Sequence, residues 1–144
     1  MNDSSKARTL GEAKLKSSGL TTADAKELGI TTLTALQVAA LGISFKKLHS
    51  LRLDYFDHQG KPLPDWPGAK PFYRLSYLEK PSGFDGMTEK PPRYAQVPNT
   101  APVIYFPRNQ AWGKLVENTD EPLIITEGEL KAAKACKEGF PTIG

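Results

Sequence analysis

Leu123-Ile124-Ile125-Thr126 is a short apolar run of the kind a buried parallel strand shows, and Glu127-Gly128-Glu129 after it makes a tight turn. Leu130 to Glu138 then places Leu130, Ala133 and Cys136 on one helical face and turns Lys131, Lys134 and Lys137 away from it. Gly139 caps that helix, and Phe140-Pro141-Thr142-Ile143-Gly144 begins a second strand. Strand, turn, helix, strand is one βαβ unit. Residues 109–144 therefore read as an α/β segment, entered through a polar linker that ends at Asp120-Glu121-Pro122.

The stretch before it, residues 51–108, holds ten of the chain's twelve prolines, which makes long helices improbable. Short alternating runs occur instead: Leu51 to Phe56, Phe72 to Leu78, Arg93 to Val97, and Val103 to Phe106. Turn chemistry separates them at Asp57-His58-Gln59-Gly60, Pro67-Gly68, Ser82-Gly83 and Asp85-Gly86. The pattern predicts an antiparallel meander with proline-bounded strands. Residues 1–50 read as short helices behind a polar, frayed Met1 to Thr9. Thr21-Thr22-Ala23-Asp24 is a capped start, and Gly29 stops that helix. A second helix is expected from about Leu33 to Leu41, with Leu33, Leu36, Ala40 and Leu41 on one face and Gly42 stopping it in the same way. The fold class is α+β: small N-terminal helices (1–50), an antiparallel β region (51–108) and an incomplete βαβ unit (109–144).

Composition narrows the function. With 144 residues the chain is long enough for one domain with a substantial core. No apolar run approaches the ~18 residues of a membrane span, and Met1 to Lys6 has no apolar signal-peptide core, so a membrane partner is not expected and the cytoplasm is the expected compartment. The single cysteine, Cys136, allows neither an internal disulfide nor a Cys-rich zinc site, so no zinc is expected. Phosphate-loop glycine patterns are missing, which argues against ATP hydrolysis. The formal net charge of +3 hints only weakly at an anionic partner, but the sign is uneven: residues 1–108 are net basic and residues 109–144 net acidic.

Two patterns could carry chemistry. Glu127 sits where a parallel strand ends and a helix begins, the edge at which functional groups collect in α/β folds. Glu129 falls in the first helical turn, where the helix dipole favours an anion. Two carboxylates so placed could hold Mg²⁺ or move a proton. The plainer reading of the same residues is a surface turn residue at Glu127 and a dipole-compensating acid at Glu129. In the middle of the chain, eleven of thirteen aromatic residues lie between Tyr55 and Trp112, interleaved with arginines and lysines. Stacking aromatics beside cations suit single-stranded nucleic acid. Arg74 and Arg93 are the strongest candidate phosphate contacts, with Arg52, Tyr73 and Tyr94 completing the candidate surface; strand aromatics also simply fill a β core. His49 and His58 have no acid or nucleophile at a telling spacing and read as surface or turn histidines. Cys136 reads as packed.

The Glu-Gly-Glu segment resembles the start of a Toprim domain, the metal-binding catalytic fold of bacterial-type primases and topoisomerases. That family opens with an apolar strand, then Glu-Gly-Glu, a helix ending in Gly, and a strand of type Pro-x-Ile-Gly, matched here by Leu123 to Gly144. Lys131 stands where many Toprim primases have Asp, as is similar in a plasmid- and phage-borne branch. Upstream, SGLTTADAKELGI (18–30), LRLDYFDHQGKP (51–62), FYRLSYLEKP (72–81), PRYAQVP (92–98) and VIYFP (103–107) also resemble that branch. The resemblance spans roughly residues 15–144. It implies that Glu127 is a catalytic acid or metal-proximal carboxylate in nucleotidyl transfer, with Mg²⁺ as cofactor near Glu127 and Glu129. In the family an Asp-x-Asp pair on a later strand holds most of the Mg²⁺, and none follows Glu127 here. The expectation is therefore the N-terminal part of a primase-like protein of plasmid or phage replication, cut within its catalytic domain and inactive in primer synthesis by itself. Its implied partners are a single-stranded DNA template, nucleotides, and a helicase domain or replisome protein. The competing expectation is a non-catalytic nucleic-acid-binding or replisome adaptor module.

Overall fold

A computed structural model of the chain describes residues 2–42, 45–64, 70–83, 86–87 and 90–144. The first element is already more ordered than its polarity suggests. Helix α1 spans Asp3–Ser17, with the Asn2 side chain accepting from the Ser5 N–H at 2.8 Å as its N-cap, so residues 3–9 are helical and not frayed. Its buried positions are Ala7, Gly11 and Leu15, a stripe of every fourth residue made mostly of small side chains. Helix α2 (Thr22–Leu28) carries the expected start: Thr21 and Asp24 form a reciprocal capping box, and Gly29 closes the helix in the left-handed conformation at φ 70°.

Next comes a departure from the sequence reading. Ile30–Leu33 is strand β1, and helix α3 begins only at Ala35, running to Leu41 behind a second capping box of Thr34 and Gln37. Two β-branched threonines follow Ile30, and a sheet edge is available to pair with them. The helix face also differs: Val38 is buried and Leu36 is exposed. Gly42 ends α3 at φ 153°, ψ 167°, a conformation unlike that of Gly29.

Strands β2 (Ser50–Asp54), β3 (Tyr73–Tyr77) and β4 (Tyr94–Gln96) join β1 in an antiparallel sheet ordered β1-β2-β3-β4. Ile30 faces Leu53, Leu53 faces Arg74, and Arg74 faces Gln96. Paired residues of an antiparallel sheet share a face. One face thus carries Ile30, Leu51, Leu53, Arg74 and Tyr94; the other carries Leu33, Arg52, Tyr73, Leu75 and Ala95. The fourth expected strand, Val103 to Phe106, does not join this sheet. Its Tyr105 exchanges backbone hydrogen bonds with Gly144, at 2.9 and 3.1 Å. The Pro67-Gly68 turn, and Asp85 of the Asp85-Gly86 turn, lie outside the described residues.

After the short helix α4 (Trp112–Leu115) come β5 (Ile124–Ile125), α5 (Glu129–Lys137) and β6 (Thr142–Ile143), with β5 and β6 parallel. This is the expected βαβ unit, and Leu130, Ala133 and Cys136 are buried as its helical pattern requires. Strand β5 is not the buried strand expected from its composition, since Leu123, Ile124 and Ile125 are all exposed. One hydrophobic cluster, containing Leu15, Leu28, Ile30, Leu53, Leu130 and Ala133, draws on all three stretches of the chain. Helix α5 is thereby packed against the first face of the sheet.

Candidate functional site

The junction of β5 and α5 places two carboxylates in opposite environments. The Thr126 N–H donates to the Ile143 carbonyl at 3.0 Å, the last backbone link before the chain turns away from β6. Gly128 makes the turn at φ 101°, ψ 136°, a conformation that a side chain would strain. Glu127, before it, is exposed and makes no ion pair or side-chain hydrogen bond among the described residues. Glu129, after it, opens α5 and is only 2% exposed.

Glu129 is held from the sheet side. The Tyr55 hydroxyl donates to Glu129 Oε1 at 2.6 Å, and Arg74 Nη1 donates to the same oxygen at 2.8 Å. Among the described residues the second oxygen, Oε2, has no hydrogen-bond partner, and neither do Arg74 Nε or the hydroxyl of the buried Tyr105. Tyr55 and Tyr105 pack edge to face, with ring centroids 5.1 Å apart. Burial, reinforced by the Glu129 carboxylate, pushes the Tyr55 hydroxyl well above its ordinary pKa. Burial does the same to Tyr105. For Arg74, burial opposes the charge, but Glu129 and Tyr55 outweigh it and its pKa is raised. The cluster is a charge-assisted link between β3 and the start of α5.

This geometry does not fit Glu129 as a magnesium ligand. A guanidinium already occupies the oxygen that faces the sheet, and the side chain points into the core, away from the exposed Glu127. Glu127 and Glu129, expected side by side, thus lie in different surroundings. Among the described residues no group of three or more His, Cys, Asp or Glu side chains converges. Glu127 remains as one exposed carboxylate at the carboxyl end of a parallel strand.

The five expected nucleic-acid residues do not form one surface. Arg52 and Tyr73 lie on the second face of the sheet, where the Arg52 guanidinium sits 4.2 Å from the Tyr73 ring centroid and Arg52 Nε donates to Asp54 at 2.7 Å. Arg74 is committed to Glu129 and stacks 5.1 Å from the Tyr94 ring. Arg93 is exposed, and with Tyr94 it lines a groove of about 600 Å³ between α1 and the β3–β4 side of the sheet. Lys14 of α1 and Lys80 line the same groove. Nothing local marked Lys14, because it comes from the segment read as small helices without chemistry. Tyr55 had a faint signal: it continues the inward alternation of Leu51 and Leu53.

The histidines part company. His49 is buried, not a surface residue: its Nδ1 accepts from the Ala35 N–H at 3.0 Å at the start of α3, and its Nε2 faces Asp3 at 3.4 Å. His58 is exposed in a turn. Cys136 is buried, with burial raising its thiol pKa and its Sγ donating to the Thr142 carbonyl. In the βαβ unit and its flanks, Leu123, Ile124, Ile125 and Phe140 are exposed apolar side chains. No described helix is long and apolar enough to cross a membrane.

Fold and site together define an α+β chain with an exposed carboxylate at the carboxyl edge of a βαβ unit and a groove lined by Lys14, Lys80 and Arg93 between α1 and the β3–β4 side of the sheet. No family model, curated protein or solved structure matches the chain.

Proposed function

We propose that this chain is the template-engaging part of a primase-type protein of plasmid or phage replication, working in the cytoplasm, with Glu127 as its one catalytic carboxylate. The observation that carries the reading is the separation of the two acids. Glu127 is exposed and unpaired beside the start of α5, while Glu129 is consumed by Arg74 and Tyr55. An exposed carboxylate there can take or deliver a proton, or add negative charge where a transferring phosphoryl group sits. The described residues supply a single exposed acid at this edge, so magnesium bound as in the Toprim family requires further ligands. The test is Glu127→Gln in the intact protein, read by template-directed dinucleotide synthesis and by unfolding. Expected is loss of synthesis with an unchanged unfolding midpoint; near-normal synthesis overturns the assignment.

The second reading, a non-catalytic replisome adaptor, draws on the exposed apolar side chains of Leu123, Ile124, Ile125 and Phe140. In that reading the intact wild-type protein binds template yet forms no dinucleotide.

A further inference from the structure

We infer that single-stranded nucleic acid runs along the groove between α1 and the β3–β4 side of the sheet, held by Lys14 and Arg93 and stacked on Tyr94. The inference rests on the nucleic-acid part of the proposed function and names its surface. It also moves that surface away from Arg52, Arg74 and Tyr73.

Charge carries the argument first. Lys14, Lys80 and Arg93 line the groove, and Glu79 is the one carboxylate among its described lining residues. Glu79 is already engaged: Lys6 Nζ stands 2.6 Å from its Oε1, and the His49 N–H donates to its Oε2 at 3.3 Å. The hydrogen bond from Lys6 leads the causes that hold the Glu79 carboxyl below its ordinary pKa. Lys14 and Arg93 have no carboxylate partner among the described residues, so their charge remains for a polyanion. Arg52 and Arg74, in contrast, are matched by Asp54 and Glu129.

Shape and chemistry agree with charge. The groove is open to solvent and follows two turns of α1, lined there by Leu10, Ala13, Lys14 and Ser17, which leaves room for a flexible strand to enter and leave. Tyr94 presents a half-buried ring, braced by Arg74 at 5.1 Å, so it is fixed before a base arrives. Pro81, Pro91 and Pro92 line the same groove. They restrict the backbone there and lower the ordering cost of binding. Two cations and one ring make a weak site whose affinity falls steeply with salt.

The experiment is fluorescence anisotropy of a labelled dT12 oligonucleotide with the chain between about 50 and 200 mM NaCl, the range over which phosphate contacts are lost. The wild type binds at low salt. The double variant Lys14→Ala/Arg93→Ala binds at least about tenfold more weakly, and its salt slope is shallower by about 1.4, near 0.7 for each single-strand phosphate contact. Tyr94→Leu weakens binding by about 5- to 150-fold, the range for one stacked base. Lys26→Ala, which removes an exposed cation on α2 away from the groove, leaves binding unchanged. Circular dichroism melts check that each variant is folded. If the wild type binds dT12 and the folded double variant binds equally well, the groove is wrong while the nucleic-acid reading stands. If the wild type does not bind at 50 mM salt, both fall.

Discussion

Glu127 and Glu129 stand two positions apart in the chain and in different media. An acid in the first turn of a helix is ordinarily a solvent-facing partner of the dipole. Glu129 instead turns inward because Arg74 and Tyr55, 55 and 74 positions away in sequence, meet it there. Removing the carboxylate leaves the half-buried Arg74 charge uncompensated, and buried pairs broken on one side are costly. With Arg74 side-chain exposure at 32% the full penalty is screened; Glu129→Ala should cost about 2–4 kcal/mol. Glu129→Gln, which keeps an oxygen for Tyr55 and Arg74, should cost about 1–2 kcal/mol. Glu127→Gln should stay within about 0.5 kcal/mol, as surface changes do. Urea unfolding of the three variants checks this order, and a Glu127 effect larger than that of Glu129→Ala would reverse the division of roles. The carboxylates themselves were legible in the sequence. Their separation was not, because nothing near Glu129 in the chain announces its partners.

At the level of elements, two contacts set how the helices lie on the sheet. Helix α1 approaches β1 at Gly11, where an added Cβ would lie 2.5 Å from Thr32 Oγ1 and 3.0 Å from its Cγ2. Alanine would gain about 1 kcal/mol of helix propensity. Crowding a packed contact costs about 1–3 kcal/mol, and the β-branched Thr32 side chain cannot turn both of its arms away. Gly11→Ala should therefore destabilise the protein by about 1 kcal/mol net, seen as a lower urea midpoint. The second contact ties α2 to α5. Lys137 Nζ lies 2.7 Å from Asp24 Oδ2, and this hydrogen bond is the leading cause that lowers the Asp24 pKa from 3.8 to about 2. A carboxyl depressed on folding stabilises above its unfolded pKa and loses that contribution as pH falls toward its folded value. The pair sits at the surface, so Lys137→Met should cost about 0.5–1 kcal/mol at pH 7. That cost should shrink as pH falls from about 4 to 2, as thermal melts across this range will show. Helix α2 was legible because Thr21, Asp24 and Gly29 are local signals. Strand β1 was not, because Ile30 to Leu33 becomes a strand by pairing with β2, a non-local event.

Across the whole molecule, the cluster of Leu15, Leu28, Ile30, Leu53, Leu130 and Ala133 joins N-terminal helices, sheet and α5 in one apolar contact. Unfolding should accordingly be a single transition, with far-ultraviolet dichroism and the fluorescence of Trp66 and Trp112 tracing the same curve. Leu130→Ala, at a buried position of that cluster, should cost about 2–5 kcal/mol and move both probes together. Two separated transitions would show that the βαβ unit is stable apart from the sheet. The sequence by itself determined the α+β class, the three stretches of different texture, the capped α2 and the strand-turn-helix-strand order around Glu127. These rest on short-range physics: alternation, caps, proline, and glycine at turns. Only the tertiary structure decided that Val103 to Phe106 leaves the meander to meet Gly144, that β5 is exposed, and that His49 and Glu129 are buried. It also decided which cations remain uncommitted. Each of these depends on which distant residue comes to lie alongside, and for a charged side chain that neighbour decides whether it is a structural link or a free contact.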